Sequence, residues 1–326
     1  MGLLSRRSRE KVSLFFATDI HGSEICFKKF LGAGDFYGAD ISILGGDMTG
    51  KMVVPVIRTS PSTHEATLAG QKTVVTGEQQ LDALEAKIRD GGFYPYRTAP
   101  DEIPELERDP QRVEQIFHDE MERTLRRWGE LAERKLQGTD RVIYVAPGND
   151  DPFFIDEIID EIPRFQLVEE QVVTLPGGYE MISTGFSNRT PWDTHREIDE
   201  DELREKIDKL AAQVSDIGRA IFNIHVPPYN TPIDEGPDID SETWDQKTSM
   251  GRAMTRPVGS HAVRAALEEH QPLLALHGHI HESRGIVRIG RTLAINPGSD
   301  YGDSVLRGCI VLLVDGAVSA HQLTSG

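Results

Sequence analysis

Five short polar segments, each directly after an aliphatic or β-branched run, constrain this chain more than any other feature. The runs are predicted to be buried strands, and they are Val12–Ala17, Ile41–Leu44, Val142–Val145, Ala220–Ile224 and Leu273–Leu276. The polar segments after them are Asp19-Ile20-His21, Gly46-Asp47, Gly148-Asn149-Asp150, His225 and Gly278-His279-Ile280-His281. Strands alternating with amphipathic helices predict an α/β fold, so we expect these carboxylates, amide and imidazoles at the strand ends.

The spacing inside the first and last segments suits metal binding. Residues two apart on an extended segment point the same way, so Asp19 and His21 can hold an ion from one side. By the same rule, His279 and His281 can close around the site from another side. We therefore predict that both ends of the chain contribute to one metal centre.

The remaining segments supply complementary donors. A carboxylate has two oxygens, and Asp47 can therefore bridge two cations that lie roughly 3.5–4 Å apart. Asn149 adds a neutral oxygen, which limits the negative charge of the site, and His225 adds another imidazole. Oxygen and nitrogen donors without thiolate favour manganese, iron or zinc over calcium or copper(I).

Each segment taken alone has a structural interpretation. Asp19 alone resembles a helix cap, and Gly46-Asp47 or Gly148-Asn149-Asp150 alone resembles a turn. His225 alone is typical of a hydrogen-bonded core histidine. The last segment, with His277 before it, is the most specific, because alternate histidines at a strand end are rarely structural. The metal prediction depends on all five segments together.

As an ordered set, the segments resemble the calcineurin-like metallophosphoesterase superfamily. Its pattern is Asp-x-His, Gly-Asp, Gly-Asn-His-Asp/Glu, a lone His and Gly-His-x-His, and Asp151 here takes the last place of the third motif. Asn296-Pro297-Gly298-Ser299 is also similar to a segment that follows the last motif in small bacterial and archaeal members. The resemblance implies a four-layer α/β/β/α sandwich of two mixed β-sheets flanked by helices, with the metal site at the carboxyl ends of the strands.

The resemblance also implies two divalent transition-metal ions, with manganese expected first and iron or zinc as alternatives. The implied ligands are Asp19, His21 and His281 on one ion, Asn149, His225 and His279 on the other, and Asp47 between them. The implied activity is hydrolysis of a phosphate ester, with a phosphodiester favoured, by a metal-bridged hydroxide. The alternatives are a phosphomonoesterase acting on a small phosphorylated metabolite and a catalytically idle scaffold. An idle relative normally loses several ligands, whereas all seven positions are filled here.

Asp150 departs from the family pattern. Many members have a histidine at this place, after the asparagine, and Asn149 and Asp150 are accordingly the candidate catalytic residues. An aspartate beside two dications should be ionised at neutral pH and unsuited to donate a proton. Its charge should repel a dianionic monoester more than a monoanionic diester. The alternative is that Asp150 points away and caps the turn into the helix after Pro152.

Composition limits the partners. The formal net charge of −18 disfavours a nucleic-acid backbone, although metal ions can reverse the sign locally for a small phosphate ester. The segment Met1–Arg7 lacks the apolar core of a signal peptide, and no stretch approaches a membrane span. Cys26 and Cys309 lie among apolar residues, which is typical of buried thiols in a reducing compartment. These features predict a cytoplasmic protein without a membrane partner, and a homo-oligomer stays open.

The chain is predicted to form a single domain over residues 1–326. The interval of about 50–140 is interpreted as an inserted β/helical elaboration with helices near Glu78–Arg89 and Gln111–Leu136 and a loop at Phe93–Pro110. We expect this insert to cap the active site, and the alternative is a dimer contact through the helix that carries Trp128. The loop of about 227–257 is predicted to be an active-site loop, because structureless loops of that length are usually functional.

Overall fold

The structure is a computed structural model that describes residues 10–240, 243, 245–249 and 251–326. The segment Met1–Arg7 and four residues of the predicted active-site loop lie outside the described residues. Within the described residues the helices are α1 Glu24–Phe36, α2 Glu78–Asp90, α3 Ile103–Leu106, α4 Pro110–Leu136, α5 Ile155–Asp160, α6 Glu200–Ala211 and α7 His261–His270. None of these helices has both the length and the apolar character needed to span a membrane.

The strands of the first half of the described chain are β1 Lys11–Ala17, β2 Ile41–Leu44, β3 Val53–Arg58, β4 Thr63–Leu68, β5 Gln71–Thr76, β6 Tyr94–Thr98, β7 Ile143–Val145, β8 Phe165–Leu167, β9 Val172–Leu175, β10 Tyr179–Thr184 and β11 Ser187–Asn188. Those of the second half are β12 Glu197–Ile198, β13 Ile221–Ile224, β14 Glu235–Pro237, β15 Thr248–Ser249, β16 Arg252–Ala253, β17 Thr255–Pro257, β18 Leu274–Leu276, β19 Gly285–Ile289, β20 Thr292–Asn296, β21 Arg307–Val314 and β22 Ala317–Ser325. All five strands predicted before the polar segments are present, with ends within one residue.

Two six-stranded mixed sheets form the centre of the molecule. One has the order β22-β21-β1-β2-β7-β8 and the other β19-β20-β18-β13-β10-β9. Apolar side chains from both sheets, such as Phe16 and Met181, pack in one cluster between them. Helices α1, α4 and α5 cover the first sheet, where the Phe27 and Trp128 rings stack with centroids 4.3 Å apart. Helices α6 and α7 cover the second sheet. The predicted four-layer sandwich is therefore confirmed.

The strands that precede the polar segments are neighbours within each sheet. Strand β1 runs parallel to β2, and β2 runs parallel to β7. In the other sheet β13 runs parallel to β18. Parallel neighbours end at the same edge, so the segments that follow them are brought together before any side chain is considered.

The insert contains a four-stranded sheet in the order β5-β4-β3-β6. Helix α2 packs on it through Leu81, Leu84 and Ile88, which form a small separate apolar cluster with Val54 and Val56. Helix α4 instead packs on the sandwich core. The insert is thus tied to the sandwich by α4 and carries only a small apolar cluster of its own.

Two predictions about loops were wrong in detail. The segment Phe93–Pro110 contains β6 and α3, because β6 pairs in parallel with β3 at the edge of the insert sheet. An edge strand tolerates Pro95, which the sequence suggested was a loop residue. The loop of about 227–257 contains the short antiparallel pairs β14–β17 and β15–β16 within its described residues.

Candidate metal centre

The polar segments turn sharply as they leave their strands. Asp19, His21, Asp47 and His279 all have positive φ values, of 52°, 39°, 54° and 66° respectively. Non-glycine residues seldom adopt this conformation, and each such residue costs on the order of 1–3 kcal/mol. Backbone bonds hold the first two turns together, since the Asp19 N–H donates to the Gly46 carbonyl at 2.9 Å. Four strained residues at one point indicate a functional site rather than an ordinary turn.

The glycines of two motifs are required by close approach. A Cβ on Gly148 would lie 2.2 Å from the Asp47 Oδ1, and one on Gly278 would lie 2.2 Å from the Asp19 Oδ2. Both distances are well inside van der Waals contact with a fixed, buried side chain. Glycine at these positions therefore lets the carboxylates reach the centre of the site.

One group of donors combines Asp19 with two histidines from opposite ends of the chain. The ligand atoms of Asp19, His21 and His281 lie within 4.8 Å of one another. The Nε2 atoms of His21 and His281 are 3.0 Å apart, and the Asp19 Oδ1 is 3.5 Å from the His281 Nε2. Two ring nitrogens and a carboxylate oxygen thus face the same small volume.

A second group lies beside the first. The ligand atoms of Asp47, His225 and His279 also lie within 4.8 Å of one another. The Asn149 Oδ1 is 3.1 Å from the His225 Nε2 and 2.7 Å from the His279 Nδ1. The Asp47 Oδ2 is 3.4 Å from the His225 Nε2 and 3.8 Å from the His21 Nε2. Asp47 therefore lies between the two groups, and all seven predicted ligands converge.

The donor set fits divalent transition-metal ions. Metal binding needs neutral imidazole, and burial lowers the pKa of His279 to about 3 and holds that of His21 well below its usual value. Burial opposes ionisation of Asp19, but a hydrogen bond with His281 and nearby imidazoles still lower its pKa. Neutral imidazoles and an ionised carboxylate are the forms in which these side chains bind metal.

Asp47 and His225 behave as a coupled pair. Burial, together with the charge of Asp150, raises the pKa of Asp47 to about 6. The charge of Asp47 raises the pKa of His225 to about 9 although burial opposes it. The metal-free pair therefore retains a proton at neutral pH, and a cation that binds both side chains must displace it.

The Asn149 amide is fixed by a side chain that sequence reasoning did not find. Its Nδ2 donates to the Thr194 Oγ1 at 2.7 Å, and the Thr194 hydroxyl donates to the Glu197 Oε1 at 2.6 Å. This leaves the Asn149 carbonyl oxygen facing His225 and His279, as metal binding requires. No local sequence pattern marks Thr194, because it lies 45 residues further along the chain.

Two polar residues near the motifs have structural roles instead. The Asp151 carboxylate accepts hydrogen bonds from the backbone N–H groups of Met48, Thr49 and Gly148, so it holds two ligand-bearing turns together. His277 is buried, and its Nδ1 lies 2.8 Å from the Ile224 carbonyl oxygen. His277 faces the sheet rather than the cluster of ligands.

Asp150 faces the metal centre and is paired with Lys51. Its Oδ2 lies 3.9 Å from the His21 Nδ1, and its backbone N–H donates to the Asp47 Oδ1 at 2.9 Å. The Lys51 Nζ is 2.7 Å from the same Asp150 oxygen. Burial opposes ionisation, yet the ammonium of Lys51 lowers the pKa of Asp150. Sequence reasoning missed Lys51, whose one signal is its place four residues after Asp47.

A cleft with a volume of about 850 Å³ opens over the metal centre. Lys51, Phe117 and Met121 line it from the insert, and Tyr229 lines it from the loop of about 227–257. A third wall, the segment 188–195 with the largely exposed Trp192, was not predicted. The described lining residues include none from the β4–β5 hairpin. The insert therefore borders the cleft through its first residues and α4.

Comparisons with known proteins support the fold described above. No family model matches the chain. An uncharacterized protein of Methanocaldococcus jannaschii is 31% identical over 171 residues, which cover 52% of this chain and 69% of that protein. A solved crystal structure aligns over 98% of this chain and 99% of its own, with 16% identity and a TM-score of 0.54. A crystal structure from Thermus thermophilus aligns over 97% and 98%, with 14% identity and a TM-score of 0.51. At such identities these two structures show the fold alone.

Proposed function

The chain belongs to the family of the Methanocaldococcus jannaschii protein, and from that starting point we propose that it is a metal-dependent phosphoesterase. One observation carries the proposal: seven candidate metal ligands converge in two adjoining groups with Asp47 between them. The order of the motifs along the chain, which resembles that of calcineurin-like metallophosphoesterases, supports the same activity. Both points concern this chain's own residues, because the relative's name states no activity.

In the proposed enzyme each group of donors holds one divalent ion, with manganese expected first and iron or zinc as alternatives. When bound, the ions supply positive charge for the phosphoryl oxygens and make water nucleophilic at neutral pH. Thr194 orients the Asn149 oxygen toward the second ion, and the Asp151 carboxylate keeps the turns at Asp47 and Asn149 in register. Accurate support of this kind matters because a small misplacement of ligands costs much of the rate.

A phosphodiester remains the favoured substrate, but the structural reason differs from the one that the sequence suggested. The predicted repulsion of dianions by Asp150 is offset by the Lys51 ammonium 2.7 Å away. The size of the cleft and its apolar and aromatic walls instead support a substrate with two organic substituents. A phosphomonoesterase is the alternative that the Lys51–Asp150 pair favours. The idle scaffold has no support in the ligand set, which has no gaps.

The partner proposed for this site is a small-molecule phosphate ester. The net charge of −18 disfavours nucleic acid, and the cytoplasmic location stays a prediction from the sequence. A homo-oligomer also stays open as a proposal.

The test is hydrolysis of p-nitrophenyl phosphate and bis(p-nitrophenyl) phosphate by metal-stripped protein to which manganese, iron or zinc is returned in turn. The proposal expects turnover that appears with metal and disappears with a chelator. The matched control is Asp201→Asn, which removes an exposed carboxylate in the first turn of α6, outside the cleft, and should leave metal binding and turnover unchanged. Metal-independent turnover, or none with any metal, would contradict the proposal.

A further inference from the structure

Lys51 lies near the start of the insert and lines the cleft, and its position is fixed on both sides. Its Nζ lies 2.7 Å from the Asp150 Oδ2, while about half of the side chain is exposed to the cleft. An ammonium has three N–H donors, and Asp150 uses one of them. The other donors can meet a ligand in the cleft, which Lys51 shares with the candidate metal ligands Asp47 and His281.

The backbone before Lys51 is clamped by the insert. The Gly50 N–H donates to the Tyr94 hydroxyl at 2.7 Å, and Tyr94 is buried against the Phe117 ring. A Cβ on Gly50 would lie 2.4 Å from the Gly92 carbonyl oxygen. This close packing of β6 and the preceding turn on Gly50 leaves the direction of Lys51 little freedom.

One carboxylate oxygen connects Lys51 with the candidate metal ligands. The Asp150 Oδ2 lies 2.7 Å from the Lys51 Nζ and 3.9 Å from the His21 Nδ1. The lysine is thus close enough to the ligands to act on a group bound to them. Asp150 stands between Lys51 and His21 and keeps the ammonium beside the site.

From this geometry, and on the basis of the proposed function, we propose that Lys51 binds a phosphoryl oxygen of the substrate and that the Lys51–Asp150 pair sets the charge selectivity of the site. With Lys51 present, the pair is neutral overall and a dianionic phosphate meets no uncompensated carboxylate. Without it, Asp150 faces the phosphate alone. A dianionic monoester is then penalised more than a monoanionic diester, because the repulsion scales with charge.

A comparable ion pair on the surface gives a matched control. Lys72 lies 2.8 Å from Glu65 on the β4–β5 hairpin, and its side chain is 58% exposed compared with 48% for Lys51. Lys72 does not line the cleft. Lys72→Met therefore removes the same charge from a similar ion pair of the same insert without touching the site.

The experiment compares Lys51→Met, Lys51→Arg, Lys72→Met and the double variant Lys51→Met/Asp150→Asn, each loaded with metal. The monoester and diester above give the ratio of kcat/KM values, and calorimetry gives the affinity for inorganic phosphate. We expect Lys51→Met to lower the monoester-to-diester ratio and the phosphate affinity at least tenfold. Lys51→Arg should keep most of the monoester-to-diester ratio and most of the phosphate affinity. The double variant should recover the ratio of the wild type, although not its full phosphate affinity. Lys72→Met should match the wild type.

An unchanged ratio and phosphate affinity in Lys51→Met, with melting temperature and metal content preserved, would overturn the inference. If Lys51→Met fails to fold, Lys51→Arg and the double variant decide, and a double variant whose monoester-to-diester ratio stays tenfold below that of the wild type would overturn the inference. Failure of the proposed function looks different. In that case the wild type hydrolyses neither ester, while the dependence of phosphate binding on Lys51 is still measured.

Discussion

The sandwich and the insert contribute to the same cleft in different ways. The sandwich delivers all seven candidate metal ligands from strand ends that are fixed by parallel pairing and by bonds between turns. The insert delivers no candidate ligand, but it brings Lys51, Phe117 and Met121 to the wall. The difference suggests that reaction chemistry and substrate selection are carried by separate parts of the chain.

The largest effect expected is on the sandwich side. Asp47→Asn keeps the size of the side chain but removes the charge that lies between the two groups of donors. We expect at least a thousandfold loss of phosphoesterase activity and a loss of bound metal, measured by kinetics and elemental analysis. The stabilisation by metal, seen as a rise in melting temperature on loading, should also shrink. Asp47→Asn protein with full activity and full metal content would contradict the view that the sandwich supplies the metal ligands.

A change in the insert should alter turnover without removing metal. Tyr94→Phe deletes the hydroxyl that accepts from the Gly50 N–H and leaves a buried donor unpaired, which costs about 1–3 kcal/mol of stability. Because Gly50 positions Lys51, we expect roughly tenfold lower monoester turnover with metal content unchanged. Tyr96→Phe is the control, since the Tyr96 hydroxyl contacts Glu102 outside the cleft. Metal loss in Tyr94→Phe would contradict a purely positioning role.

The sandwich should also show a pH dependence of stability that arises from one buried carboxyl group. Burial raises the pKa of Glu169 to about 8, although two hydrogen bonds from the Gly185 N–H oppose this. The folded pKa lies above the unfolded one near 4.5, so stability is complete below pH 4.5 and declines as the pH rises through 8.

Glu169→Gln should therefore melt a few degrees higher than the wild type at pH 9 and nearly level with it at pH 5. Equal wild-type and Glu169→Gln profiles from pH 5 to 9 would show that Glu169 is ionised throughout.

The smallest effect expected is from the β4–β5 hairpin. The sequence led us to expect that the inserted segment would shape the pocket, whereas the described lining residues include none from this hairpin. Replacing Thr63–Thr76 by a short Gly/Ser link should leave kcat/KM for both esters within about twofold of the wild type. A large change in kcat/KM would show that the hairpin contributes to the substrate site. The hairpin would then not differ in role from the parts of the insert that line the cleft.

The features that could be predicted from the sequence are those marked by a local pattern or by the order of the motifs. Strand runs such as Ile41–Leu44 and the turns after them are local and could be predicted directly, whereas the four-layer sandwich and the assignment of ligands were implied by the resemblance of the ordered motifs to a known family. Lys51 and Thr194 were missed because their partners, Asp150 and Asn149, are distant in the chain, and Trp192 was missed because no periodicity marks it. Strand β6 was missed because Pro95 argues against a strand, and only its edge pairing with β3 explains why it is tolerated.

The contact between His21 and His281 has a consequence for how the protein acquires metal. These residues are 260 apart in sequence, yet their Nε2 atoms are 3.0 Å apart in space. The His279 N–H donates to the Asp19 carboxylate at 3.0 Å. During synthesis, the set of ligands is incomplete until the last motif has emerged from the ribosome. Metal capture should therefore report completed folding, and fragments that end before Gly278 should bind metal weakly.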